Sequence, residues 1–365
     1  MMKKMKKLLA LVLTCIMLTS VLAGCGGSSS GGSSSGGNPS GGSTSDSKGG
    51  SGSEEKSVTL RINNDYAENS PSGKLLAEFC QRVSDATDGT VTIKPYYSGA
   101  LGDYVTVFEE VSKGSIDMTF NSIPVTFGEV FGITGLPYLA STWDEAAKVY
   151  ASGGYLDTTM KELCGGVGVE LLSLYMVGAG GLAASKMPSN WETWGAEHDI
   201  LIRVPNADLH RIPMEAMGYR TQGVNWAELF TAVQTGVVDG FVGGHPAACY
   251  EQFRDVIKYY IQINNFFESA AIGINKDLFD SLSERQQKAL QDAALWVFNE
   301  SISRGEAEED EYMQMMSDYG IEVIKPDPEI LESWAKSCRE EVWPQLKESI
   351  QNDEIFDALV ASLSE

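Results

Sequence analysis

From Gly26 to Ser53 the chain is dominated by Gly and Ser and contains no aliphatic or aromatic side chain. A stretch with nothing apolar to bury cannot offset the entropy of ordering, so it predicts a flexible tether and confines any fold to the residues beyond Ser53. At about 28 residues it has a random-coil reach of about 30 Å. Ahead of it stand Lys3, Lys4, Lys6 and Lys7, then an apolar run from Leu8 to Leu22. That run is too short to span a bilayer comfortably and has the basic head of a secretory signal. It closes on Leu22-Ala23-Gly24-Cys25, an apolar residue and two small ones before a cysteine, which is the lipobox order. Residues 1–24 are therefore expected to be a lipoprotein signal peptide, residues 25–57 a tether, and Cys25 the site of lipidation. Two or three acyl chains on one cysteine hold firmly where a single chain binds marginally. The expected location is the extracytoplasmic face of the cell membrane, with the lipid as membrane anchor.

The full chain has 27 basic and 50 acidic residues; less the four leader lysines it has 23 against 50, a net of −27. The basic footprint of nucleic-acid binding is absent. Strong acidity reports solubility and surface repulsion, and does not argue for a cationic ligand, because the field inside a cleft is set by the groups that line it. With only His198, His210 and His245, and no HExxH or clustered Cys/His, neither a metal nor another cofactor is expected. No GxSxG, P-loop or dinucleotide fingerprint follows a strand, which weakens any enzyme reading. Cys80, Cys164, Cys249 and Cys338 lack CxxC spacing, and three pairings among them stay open.

Roughly 310 residues from Val58 onward are long for one core and natural for two lobes. Short β-rich runs alternate with helical runs, so the fold class is α/β with mainly parallel sheets. Strands are expected at 58–63, 91–96 and 116–120, with helices at 72–87 and 104–113, the second ended by Gly114. Residues 170–175 lead to a small-residue run at 179–185, a natural crossing between lobes. Further strands are expected at 200–204, 237–240 and 270–275. Ser283 and Gln286 form a capping box. Helical periodicity then continues to about Gly320, which at 1.5 Å per residue makes a helix near 54 Å, long enough to lie along both lobes. The alternative is two helices broken near Gly305. The expected division is 58–178 with 269–308 as the first lobe and 179–268 with 309–365 as the second.

Five segments occur in one order: Tyr97-Ser98-Gly99-Ala100-Leu101-Gly102, Lys113-Gly114-Ser115-Ile116-Asp117-Met118, Leu136-Pro137-Tyr138, Ile202-Arg203-Val204-Pro205-Asn206, and the run Glu228 to Gly240 containing Leu229-Phe230-Thr231-Ala232-Val233-Gln234-Thr235-Gly236-Val237-Val238-Asp239. Together they resemble the substrate-binding proteins of tripartite ATP-independent periplasmic (TRAP) transporters, of the dicarboxylate and sialic acid type. The resemblance covers nearly all the chain after Val58. It implies a two-lobe periplasmic-binding-protein-like fold with a long helix spanning both lobes, hinged closure on a small organic acid, delivery to TRAP membrane subunits, and no catalysis.

The resemblance also implies site residues. Arg203 falls on the arginine that forms a paired salt bridge with a substrate carboxylate, and a guanidinium suits that task because its planar donors match a carboxylate as lysine cannot. Trp226 falls on an aromatic that covers the ligand. Asn64, Asp65, Asn121 and Ser122 follow strands of the first lobe, and Asn206 follows Arg203. Loops after strand carboxyl ends are where open α/β sheets bind ligands. A second family arginine aligns with Gly180, an asparagine with Gly243, and polar groups used for sialic acid with Ser122 and Val125. These losses imply one strong anion clamp in a less polar pocket, with Tyr66, Phe241 and His245 lining the rest, and a monocarboxylate with an apolar or aromatic body as the expected solute. The other readings are a binding protein of an ATP-driven transporter, and an anchored hydrolase for which Ser185, His245 and Asp239 could be named.

Overall fold

Alternating apolar residues at 58–63 and 91–96 build the first pair of strands, and the same economy of short strands and covering helices continues through the chain. The computed structural model describes residues 55–363; the expected signal peptide, Cys25 and the tract as far as Glu54 lie outside the described residues. The strands in chain order are β1 Val58–Asn63, β2 Val91–Tyr96, β3 Met118–Asn121, β4 Val169–Ala179, β5 Gly181–Ala184, β6 Leu201–Val204, β7 Arg220–Gly223, β8 Gly240–Gly244, β9 Tyr259–Ile261, β10 Phe267–Asn275 and β11 Glu322–Ile324. They form two sheets, in the orders β2-β1-β3-β10-β4 and β11-β9-β5-β8-β6-β7. Each sheet is the floor of one lobe.

In the first lobe, helix Pro71–Ala86 buries Leu75, Leu76, Phe79 and Val83 on the sheet, the face that its apolar spacing predicts. Ser70 caps it by accepting from the Gly73 amide at 3.0 Å. The expectation of mainly parallel sheets holds only in part. β1 is parallel to β2 and β3, but β10 is antiparallel to both β3 and β4. The reason is the crossing itself: β4 carries the chain out of the first lobe and β10 brings it back, so they must run in opposite directions. One strand also shifts, from 237–240 to β8. A Schellman turn intervenes, in which Gly236 donates to Val233 and Val237 to Ala232, so the chain cannot become extended until after it.

Helix Glu284–Tyr319 is continuous over 36 residues. Ser283 and Gln286 close the capping box at its start, and Gly320 ends it with a left-handed backbone. Its first half buries Leu290, Ala293, Ala294 and Val297 in the first-lobe core, while Met313 and Met316 join the second-lobe core. Gly305 does not break the helix. A Cβ there would lie 2.1 Å from the Trp143 ring, so the glycine lets an indole pack directly on the helix backbone. Near the C-terminus, Trp343 donates to the Pro137 carbonyl at 2.9 Å and Tyr155 to the Ile355 carbonyl at 3.2 Å, whereas Trp194 donates to Glu341 at 3.1 Å. The terminal helices thus touch residues of both lobes. Cys164, Cys249 and Cys338 are buried and Cys80 half-buried, all as free thiols.

The crossing is held by a buried carboxylate. Glu309 of the long helix accepts from the Ala179 amide at the end of β4, and from the Trp143 indole at 3.0 Å. Burial pushes its carboxyl up from 4.5 to about 7, against the two hydrogen bonds that favour the charged form. A raised carboxyl binds its proton more tightly in the folded than in the unfolded chain. The stability this contributes is complete below about pH 4.5 and is lost as pH rises through about 7. Asp65, also pushed up to about 7, acts in the same sense. The melting temperature should therefore fall between pH 5 and pH 8, and Glu309→Gln should make that fall shallower. Superimposable melting profiles for the two proteins would refute this account of the crossing.

Candidate anion-binding cleft

Arg203 sits on the short strand β6, whose start is fixed by Asp239. The Asp239 carboxylate accepts from the Leu201 amide at 3.0 Å, and its own amide donates to the Leu201 carbonyl at 2.7 Å. Parallel pairing then sets Arg203 beside Phe241 of β8 and Gln222 of β7. The arginine is only 4% exposed. Its Nε donates to the Val224 carbonyl at 2.7 Å and its Nη1 to the Val242 carbonyl at 3.3 Å, while Nη2 has no partner among the described residues. No carboxylate lies within ion-pair distance of it among the described residues. Burial pulls the guanidinium down to about 10, so it stays charged at neutral pH. A buried, charged and unpaired guanidinium is costly unless something anionic completes it.

Trp226 opens helix Trp226–Gln234, and its ring centroid lies 5.5 Å from the Arg203 guanidinium carbon, within cation–π range. The indole is anchored, donating to Gln252 at 3.1 Å and packing edge-on against Phe253 at 5.1 Å. Gly243 has a left-handed φ of +97°, and a Cβ there would stand 3.4 Å from Arg203 Nη1. The residue thus leaves one side of the guanidinium open. Phe241 is a core residue, 0% exposed, tilted against Phe253 with ring centroids 4.6 Å apart and edge-on to Trp226. Asn206 is exposed and donates to Asn225 at 3.0 Å, at the rim rather than beside the guanidinium.

The first lobe supplies the facing wall. Asn64 is fully buried with both amide atoms engaged, donating to Ser72 at 2.9 Å and accepting from the Tyr66 amide at 2.8 Å. It holds the turn after β1. The Asp65 amide donates to Asn121 Oδ1 at 2.8 Å, and the Asp65 carboxylate accepts from the Tyr104 amide at 3.0 Å. Asn121 Nδ2 is buried without a partner among the described residues. Tyr66 and Ser122 both donate to one oxygen of Glu268, at 3.0 and 2.8 Å. His245 packs edge-on against Tyr66 at 5.3 Å; its Nε2 is buried and unpartnered, and burial lowers it to about 4, so the ring is neutral.

Tyr104 opens helix Tyr104–Ser112, its amide donating to Asp65; burial raises its phenol, Arg203 opposes this, and Asp103, Glu268 and Asp65 add to the rise. It was not singled out from the sequence, nor were Glu268, His210 or Phe266. His210, lowered to about 4 by burial and then by Arg203, packs on Phe266 at 5.2 Å. Phe266 in turn fills the space that a side chain at position 180 would take: a Cβ on Gly180 would lie 2.5 Å from its ring. No local signal marks these residues, since each is ordinary for its own segment and gains meaning only from what crosses over it. A separate cavity of about 20 Å³, room for one water, lies behind the crossing among Ser72, Trp143, His245, Ser301 and Glu309. It is too small for a solute and does not reach Arg203.

The hydrolase trio is not assembled. Ser185 donates to the Asp239 backbone carbonyl at 2.9 Å, the Asp239 carboxylate pairs with Lys186, and His245 Nδ1 accepts from the Ala248 amide at 3.5 Å. A nucleophile, base and orienter in mutual reach are what acyl transfer needs.

The family model described as DctP, bacterial extracellular solute-binding protein, family 7, matches residues 62–349. A solute-binding protein of Chromohalobacter salexigens is 24% identical over 259 residues, covering 70% of this chain and 76% of its own. Among solved structures, the sugar acid binding protein DctPAm of Advenella mimigardefordensis, in complex with galactonate, is 21% identical, with a TM-score of 0.75 over 85% of this chain and 99% of that one. A TRAP periplasmic solute binding protein of Desulfovibrio salexigens with bound orotic acid is 19% identical, with a TM-score of 0.75 over 84% and 98%. The structural likeness extends to both sheets and the long helix, and the family match takes in both walls of the cleft. The chain belongs to the DctP family of bacterial extracellular solute-binding proteins, the solute-capturing and non-enzymatic components of TRAP transporters.

Proposed function

We propose that this protein captures a small organic acid between its lobes, closes on it about the β4 and β10 crossing, and delivers it to TRAP membrane subunits while anchored by lipid on Cys25. The observation that carries this reading is Arg203, buried and charged, with no carboxylate of the described residues within ion-pair distance. Guanidinium and carboxylate make paired, charge-assisted hydrogen bonds, and Nη2 with the open side of Nη1 offers the donors for them. The structural neighbours solved with galactonate and orotic acid support an acid as the solute class.

Within that class the finer reading is a monocarboxylate with an apolar or aromatic body. Phe266 occupies the space over Gly180 where a second cation would stand, and Trp226 offers an aromatic face beside the clamp. A second carboxylate would have to approach Glu268 and Asp65 on the facing wall. A like charge closed into a partly desolvated site costs several kcal/mol, whereas an apolar body gains about 25 cal/mol per Å² buried.

Arg203→Lys keeps the charge but not the fork, and should weaken acid binding by about 2 to 4 kcal/mol, or roughly 30-fold to 1000-fold. Calorimetry showing less than a threefold change would remove Arg203 from the site. In a thermal-shift panel, a ligand at 100 times its dissociation constant adds about 2.7 kcal/mol of stability. Aromatic and branched aliphatic monocarboxylates should stabilise the protein more than succinate, malate or sialic acid, and the reverse order would end the monocarboxylate reading. Cys25→Ala should move the protein from the membrane to the soluble fraction; retention after detergent-free washing would show that something else anchors it.

A further inference from the structure

The cleft holds two opposite charges that do not meet. Arg203 on the second lobe has an unpartnered Nη2, and Glu268, the second residue of β10, has an unpartnered Oε2 among the described residues. Glu268 uses only Oε1, which accepts from both Tyr66 and Ser122. Among the described residues no Lys or Arg stands within ion-pair distance of Glu268, and Arg203 is not its partner. The two charges nevertheless line one cleft: a Cβ on Gly243 would stand 3.4 Å from Arg203 Nη1, and two residues on, His245 packs at 5.3 Å against Tyr66, whose hydroxyl donates to Glu268 at 3.0 Å. The neighbouring acid Asp65 has both its oxygens engaged, by Asn63 and by the Tyr104 amide, whereas Glu268 keeps one carboxylate oxygen free. Beside it, buried polar atoms also lack partners: Nε2 of His245, whose ring packs on Tyr66, and Nδ2 of Asn121, whose Oδ1 holds Asp65.

We infer that the solute is a zwitterion, a carboxylate that also carries a protonated nitrogen, with Arg203 taking the carboxylate and Glu268 selecting the cationic end. This rests on the organic-acid reading above and narrows it. A simple anion pairs Arg203 but leaves Glu268 enclosed on closure with no countercharge. A hydroxy acid satisfies Oε2 by a hydrogen bond, yet the closed site still carries a net negative charge. Only an ammonium or similar group neutralises both ends, and complementary pairs of this kind are what desolvated sites favour. Burial already raises the Glu268 carboxyl, as expected for an acid that lacks its partner. Tyr66 and Ser122 fix the oxygen that they hold and so aim the other.

The test is calorimetry on the full-length protein in detergent with three matched series: unbranched ω-amino acids from glycine to 6-aminohexanoate, the ω-hydroxy acids of equal length, and the plain fatty acids. At one or more lengths the amino acid should bind about tenfold or more tighter than both counterparts. Glu268→Gln retains the acceptor for Tyr66 and Ser122 and should bring that ratio within about threefold. The wild-type comparison does not depend on the variant folding. If plain or hydroxy acids bind at least as well as the amino acids at every length while Arg203→Lys still weakens them all, the zwitterion is wrong and the organic-acid reading stands. If no member of any series binds in a way that depends on Arg203, both readings fall together.

Discussion

The antiparallel pairing of β4 with β10 is the constraint on which the rest depends. It runs from Val169 opposite Asn275 to Ala179 opposite Phe267, and at its end the chain passes through Gly180 into the second sheet. The Gly180 amide still donates to Phe266 at 2.8 Å, so the two crossing segments stay hydrogen-bonded at the change of lobe. The long helix closes the arrangement from outside, where Glu309 grips the Ala179 amide and Trp143 packs on Gly305. The crossing is also packed: Met176, Ala179, Leu182 and Phe267 are buried in one apolar cluster that runs from the first sheet into the second.

That crossing also decides the electrostatics of the cleft. Glu268 lies just after the return crossing, so the pairing that joins the lobes sets its carboxylate between Tyr66 and Ser122. Arg203 is placed by independent means, through Asp239 and the β6 ladder of the second sheet. The two opposite charges are thus mounted on separately built walls and do not pair with each other. The cost of keeping each half-desolvated is borne by the hydrogen bonds behind it: Val224 and Val242 for the guanidinium, Tyr66 and Ser122 for the carboxylate.

Much of the fold was legible because its signals are local. The capping box at Ser283 and the glycine at 320 bound the long helix to the residue, and apolar spacing marked the buried face of helix Pro71–Ala86. Strand direction was less legible. The sheets read as mainly parallel, since alternating short strands and helices are the mark of βαβ units, and nothing local says that one strand leaves a lobe while another returns. β8 shifted because a Schellman turn hides inside an apolar run that reads as a strand. In the cleft, Arg203, Trp226 and Gly243 emerged from motif position, and the structure groups them. Phe241 and Asn64 share that kind of signal but turn inward, because an aromatic on a strand and an amide at a turn serve a core as readily as a ligand.

The sequence by itself determined where folding starts, the α/β class, the interlobe helix and which arginine motif order singles out, because capping, periodicity and motif order act over short stretches of chain. Only the tertiary structure decided what faces that arginine. Tyr104, Phe266 and Glu268 stand more than sixty residues from Arg203 in the chain, and local sequence does not join them to it. Whether a carboxylate is paired, buried or left with a free oxygen depends on the several segments that meet around it, and no local pattern in any one of them carries that information.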